Sequence, residues 1–176
     1  MKLWRSVLAV IALATLCNVG LVKQAHASQS TYFSVSDLMS DVFGSTQPST
    51  GALWLTPERK TNAEQLLGYT LDKARVRFWY QGDTRLWVLS EIGKEKPITF
   101  GIVTQKGIIQ RIEVMVFRES RGDEIRLPQY TAQYKGNSLT SDGNLSRDVD
   151  GISGATYSVR SMKKVAKLAL LFDTWS

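Results

Sequence analysis

The sequence predicts a single α+β domain, with a small, mostly antiparallel sheet of three or four strands and flanking helices. Three observations carry that reading. Between Ile108 and Phe117, the residues Ile109, Ile112, Val114 and Val116 fall mostly on one parity and Arg111 and Glu113 on the other, the pattern of a half-buried strand. Lys106-Gly107 joins that segment to the apolar run Ile98 to Thr104, which makes the two a hairpin. Near the C-terminal end, Val159, Met162, Val165, Ala166, Ala169 and Leu170 recur every three or four residues, with Arg160, Lys163, Lys164 and Lys167 opposite, an amphipathic helix.

The other elements follow in chain order. Residues 1–27 read as a secretory signal. Lys2 and Arg5 precede a 16-residue, mostly apolar run from Val7 to Val22, and Ala25-His26-Ala27 is a small-x-small cleavage pattern. The run is short of the roughly 20 residues a membrane span needs, so cleavage is expected, with a retained anchor as the alternative. Residues 28–90 hold helices and the first strands. Ser34 caps a short helix that ends at Gly44, residues 45–51 form a loop, and Thr56-Pro57 starts a second helix that ends at Gly68. Val76 to Tyr80 and Leu86 to Leu89 are strands around the turn Gln81-Gly82-Asp83. Trp54, Trp79, Trp87 and Trp175 are assigned to packing.

Composition removes several function classes. The chain has 176 residues, a net charge of +6, one cysteine (Cys17) and one histidine (His26). Both lie in the leader, so the mature 149 residues contain no thiol and no imidazole. That excludes Cys/His nucleophilic catalysis, a disulfide framework and a histidine or cysteine metal site in the mature chain. Loss of the leader removes three cations and no acid, so +6 becomes +3, too small a charge to argue for nucleic acid.

The chemistry concentrates just before the last helix, in Asp150-Gly151-Ile152-Ser153-Gly154-Ala155-Thr156-Tyr157-Ser158. Gly151 and Gly154 permit sharp turns and the close approach of a bulky group. Ser153, Thr156 and Ser158 place hydroxyls around a helix N-terminus, where free N–H groups and a partial positive charge suit a phosphate. The same hydroxyls also suit a plain helix cap.

Asp150-Gly151-Ile152-Ser153-Gly154-Ala155-Thr156 resembles the signature of FMN-binding domains that carry flavin covalently. These include the FMN subunits of sodium-translocating NADH:quinone reductase and of Rnf-type complexes. Glu119-Ser120-Arg121-Gly122 resembles the family's Glu-Thr-Pro-Gly segment, with Arg121 in place of proline. Pro128-Gln129-Tyr130 to Gln133-Tyr134-Lys135-Gly136 resembles the aromatic–Gln–aromatic–Lys–Gly run that follows it. The resemblance covers roughly residues 97–171 and makes 91–176 the FMN-binding region.

It implies FMN esterified through its phosphate to Thr156 by an exported, magnesium-dependent flavin transferase. Asp150, Gly151, Ser153, Gly154 and Ala155 are then the recognised motif, and Ser158 is a phosphate neighbour. Glu119, Ser120 and Gly122 join the cofactor-binding set, Glu119 either as a contact to the ribityl chain or ring or as a surface carboxylate. Arg160 either assists the phosphate or is solvated. Tyr130, Tyr134 and Tyr157 either pack on the flavin or belong to core and surface. No catalytic or metal-ligating residue is assigned.

Two functions follow. One is an exported, periplasmic electron carrier with covalent FMN, relaying electrons between membrane and periplasmic redox partners, more a redox subunit than a self-sufficient enzyme. The other is a partner-binding, sensory or assembly module with non-covalent flavin or none.

Overall fold

The computed structural model describes residues 29–176. The expected leader, with Cys17 and His26, lies outside the described residues. Six strands form one antiparallel sheet: β1 (Ser30–Thr31), β2 (Ser49–Trp54), β3 (Arg75–Gln81), β4 (Thr84–Ile92), β5 (Pro97–Gln105) and β6 (Ile108–Phe117). Their spatial order is β1-β6-β5-β4-β3-β2, so the central meander β3 to β6 carries one added strand at each edge. The helices are α1 (Val35–Phe43), α2 (Pro57–Leu67), the short α3 (Pro128–Thr131) and α4 (Thr156–Asp173). Among the described residues, no helix is long and apolar enough to cross a membrane.

The α+β class is as expected, but the sheet has six strands, not three or four. The two extra strands are both edges. β2 starts at Ser49, inside the stretch expected as a loop, and pairs with β3 from Ser49↔Tyr80 to Trp54↔Arg75. Its Ser49-Thr50-Gly51 start reads as a turn rather than a strand, and β1 is only two residues long. Tertiary pairing, not propensity, makes both strands.

Three layers result. One face of the sheet receives α1 through Leu38 and Phe43, which pack with Leu86, Val103 and Met115. Gly101 permits this approach, because a Cβ there would lie 2.1 Å from Leu38 Cδ2. The other face receives α4, with Met162, Val165, Ala169 and Phe172 against Trp87, Phe100, Ile102 and Ile112. Two irregularities in the β5–β6 register, at Val103/Thr104 and Thr99/Phe100, explain the imperfect alternation of β6. Gln110 and Met115 are the unpaired residues. Each bulge resets parity. Ile109 and Ile112 therefore share the α4 face, while Met115 and Val116 turn to α1.

Both predicted caps are present. Ser34 Oγ accepts from Asp37 N at 3.0 Å, and Asp37 Oδ2 accepts from Ser34 N at 2.9 Å, a reciprocal capping box. Ser34→Ala is expected to cost about 1 kcal/mol, read as a lower urea midpoint. The bonds from Ser34 hold the Asp37 carboxyl below its ordinary value of 3.8. A carboxyl depressed in the folded state stabilises above its unfolded value. That contribution is lost as pH falls through the lowered folded value, so Ser34→Ala should matter less in acid than at neutral pH. Of the four tryptophans assigned to packing, Trp87 is fully buried, but Trp54 is 60% exposed. Trp54 sits at the end of the edge strand, where Arg75 lies over its ring at 5.7 Å.

Candidate functional site at the start of the last helix

The site is built where β6 ends and α4 begins. After β6, the chain makes a 3-10 turn at Asp123–Arg126, then α3, then a second 3-10 turn at Ala132–Tyr134. Tyr130 and Tyr134 are buried here, rings 5.9 Å apart and edge to face. Burial pushes both phenols above their ordinary value, so they stay neutral and belong to the core rather than to a ligand surface.

The segment they anchor holds the motif loop in place. Asn137, fully buried, donates through Nδ2 to Gln133 O at 3.0 Å and accepts from Arg147 N at 2.8 Å. Gln133 Oε1 accepts from Asp150 N at 2.8 Å, and Lys163 Nζ donates to Val149 O at 2.6 Å. Gln133 of the upstream run is therefore a strut for the motif, and Asn137, just after that run, holds the chain that leads into it. The sequence shows the residues but not this use, because the partners are backbone atoms some 10 to 17 positions away.

The motif itself ends in a tight turn. Ala155 N donates to Ile152 O at 3.0 Å, and Gly154 adopts φ +84, a conformation that favours glycine. Ala155 is the N-cap of α4, and its methyl is buried in the core. No side chain caps this helix. The cap reading of Ser153 and Thr156 is therefore overturned: Thr156 is the first helical residue, and its side chain is exposed. Val159 N is the first amide to bond back within the helix, to Ala155 O at 3.0 Å. The N–H groups of Thr156, Tyr157 and Ser158 thus stand at the positive end of an 18-residue helix with no side-chain acceptor.

Beside this helix start lies an open cleft of about 460 Å³. Gly154, Ala155, Tyr157 and Ser158 form one wall, and Glu119, Ser120 and Arg121 the other, with Lys94 at the rim. The two motif segments, separate in sequence, thus face each other. Gly122 makes their approach possible: it has φ +89, and a Cβ there would lie 2.5 Å from Ser158 Oγ and 3.4 Å from the Ala155 Cβ. Gly122→Ala is expected to cost about 1–3 kcal/mol through the strained backbone and the displaced Ser158, read by urea denaturation.

Glu119 has a job in the free protein. Its Oε1 accepts from Glu95 N at 2.7 Å and from Lys96 N at 2.9 Å, so it clamps the β4–β5 turn against the cleft. Lys94 and Arg121 are cationic groups in the cleft, and Lys94 was not picked out from the sequence. Asp150, Gly151 and Ser153 line no part of the cleft and lie exposed around Thr156. Tyr157 is half exposed, with the Arg160 guanidinium 5.6 Å from its ring centroid. Among the described residues, no group of three His, Cys, Asp or Glu side chains is placed to hold a metal.

Fold and site together define a single-sheet α+β domain with an uncapped helix N-terminus beside a cleft that Lys94, Arg121 and Glu119 line. The family model of the FMN-binding domain matches residues 93–171, and over this stretch the chain is similar to that family. The fold is similar to the crystal structure of Shewanella oneidensis NqrC, with a TM-score of 0.53 and 13% sequence identity over 79% of this chain and 88% of that one. At that identity the likeness is one of fold. The comparison with curated proteins returns no match. The residues present fit FMN: three free helix-end amides and two cations suit its phosphate, and the cleft admits the chain that follows it.

Proposed function

We propose that the chain is an exported electron-transfer flavoprotein, with FMN held covalently through a phosphoester on Thr156. The observation that carries the reading is the placement of that hydroxyl. Thr156 is exposed, its neighbours on both sides line the cleft, and it opens a helix whose first amides have no side-chain cap. A phosphodiester there carries one negative charge at the positive end of the helix, worth about 0.3–1 kcal/mol at an exposed site. Asp150, Gly151 and Ser153, exposed around Thr156, are the surface a flavin transferase reads. Ser158, held against Gly122, lines the cleft beside the phosphate.

When bound, FMN supplies the one- or two-electron redox chemistry, and the protein supplies anchoring, orientation and electrostatics. Lys94 and Arg121 offset the phosphate charge. Glu119 holds the β4–β5 turn and so fixes the width of the cleft. Covalent attachment has a purpose outside the cytoplasm, where free FMN diffuses away. The leader of residues 1–27 supports a periplasmic location, and the partners are membrane and periplasmic redox proteins.

The test is the intact mass of the exported chain, co-expressed with a flavin transferase and denatured before analysis. The expected gain is one FMN less one water, mapped to the peptide that holds Thr156. An unmodified mass, with the transferase active on a control substrate, overturns the covalent linkage.

A further inference from the structure

A second cleft, of about 550 Å³, opens on the same end of the molecule. It adjoins the first. Tyr157 lines both, and Gly93 stands between them, because a Cβ on Gly93 would lie 2.6 Å from Glu119 Oε1. The second cleft differs in character. Its walls are the rings of Tyr69 and Tyr157 with Ile92 and Pro97, and Ile92 is 56% exposed although it ends a core strand.

Its floor is a polar network found in neither motif. Glu91 is 93% buried, its relative exposure being 7%. Tyr69 donates its hydroxyl to Glu91 Oε2. Lys164 Nζ lies 3.4 Å from Glu91 Oε1 and 4.7 Å from the Tyr69 ring centroid. The buried carboxylate therefore has a partner on each oxygen, which burial of a charge demands. The network ties Tyr69, exposed and just past the Gly68 turn that ends α2, to β4 and α4. Ser161 Oγ donates to Ile92 O at 2.7 Å and ties α4 to β4 at this place.

We infer that this second cleft is the bay for the isoalloxazine ring, with Tyr69 and Tyr157 as its aromatic walls and Glu91 and Lys164 as the residues that position Tyr69. The inference rests on the flavin attachment proposed at Thr156. The division of labour follows from chemistry. The cleft at the helix start is polar and cationic and takes the phosphate and ribityl chain. The adjoining cleft is aromatic and apolar and takes a flat, conjugated ring, which stacks on aromatic faces. Tyr157, one residue from the anchor, is the shared wall at which the ligand turns. Residues 69 and 91 lie outside the motif segments, so this chain's N-terminal part completes the site.

The test uses the full chain flavinylated in the periplasm, with two readouts. Mass at the Thr156 peptide reports attachment. Fluorescence yield of the attached flavin, native against unfolded in guanidinium, reports stacking. The native ring is expected to be quenched and to brighten several-fold on unfolding. Tyr69→Ala should remove much of that quenching at unchanged flavin content, and Tyr69→Phe, which keeps the ring but loses the bond to Glu91, should restore it in part. Lys164→Met should shift the visible absorption band. Trp54→Ala, at the far sheet edge, should change nothing. If flavin is attached in full yet Tyr69→Ala and Trp54→Ala give equal, unaltered fluorescence, the ring lies elsewhere and the inference is overturned, while the anchor stands. If Thr156 stays unmodified, the anchor fails. FMN titrated into the unmodified chain then decides the bay: quenching that depends on Tyr69 supports it, and quenching indifferent to Tyr69 overturns it.

Discussion

Thr156→Ala is expected to abolish covalent flavin completely and to leave the fold intact. The hydroxyl is the one atom that attachment cannot lose. Its loss from the fold is nearly free, because the side chain is exposed and makes no cap. The change in stability should stay within about 0.5 kcal/mol, the range of surface substitutions without a special role. A capping threonine would cost about 1 kcal/mol. The two readouts thus separate the roles: a flavin acceptor loses all label with no change in urea midpoint, and a cap loses stability with no label to lose. Thr156→Ser keeps the hydroxyl and should keep part of the flavin. Full attachment in Thr156→Ala would move the anchor to another residue and sink the proposal.

Trp87→Ala is expected to be the most destabilising single truncation described here, by about 3–5 kcal/mol. The side chain is fully buried between the sheet and α4, with ring centroids 4.7 Å from Phe78 and 5.7 Å from Phe172. Its Nε1 also donates to Thr104 Oγ1 at 2.9 Å, and Thr104 in turn donates to the buried Asp173 at 2.7 Å. Truncation therefore opens a cavity and strips one partner from a buried polar chain. Domains of this size are stable by about 5–15 kcal/mol, so the loss is a large share of the whole. Urea denaturation with an unchanged slope checks it. A shift below about 1 kcal/mol would show that the ring is not where sheet and helix meet. Because α4 carries Thr156 at its start, the same variant should lower flavin loading even though Trp87 lies far from the anchor in sequence.

The parts legible in the sequence were those set by local physics. The Ser34 and Thr56 caps, the stops at Gly44 and Gly68 and the Lys106-Gly107 hairpin depend on a few neighbouring residues, and each stands where those residues put it. The motif before α4 was legible as a phosphate-suited helix start for the same reason. Whether the hydroxyls cap the helix is not legible, since composition cannot say whether a hydroxyl points back at its own amides or out to solvent.

What the sequence by itself determined is the α+β class, the order of the main elements, and the glycine- and hydroxyl-rich stretch at 150–158 that leads into α4. Only the tertiary structure decided the rest. It made strands of β1 and β2, whose own residues do not demand it. It placed bulges that turn Met115 to one face and Ile112 to the other. It pressed Gly122 against Ser158, so that two separate segments share one cleft. It joined Tyr69, Glu91 and Lys164 from a loop, a strand and a helix. The physical reason is common to all four. Caps and turns are contests among adjacent groups, while registers, close approaches and buried ion networks are settled by packing between residues far apart in the chain.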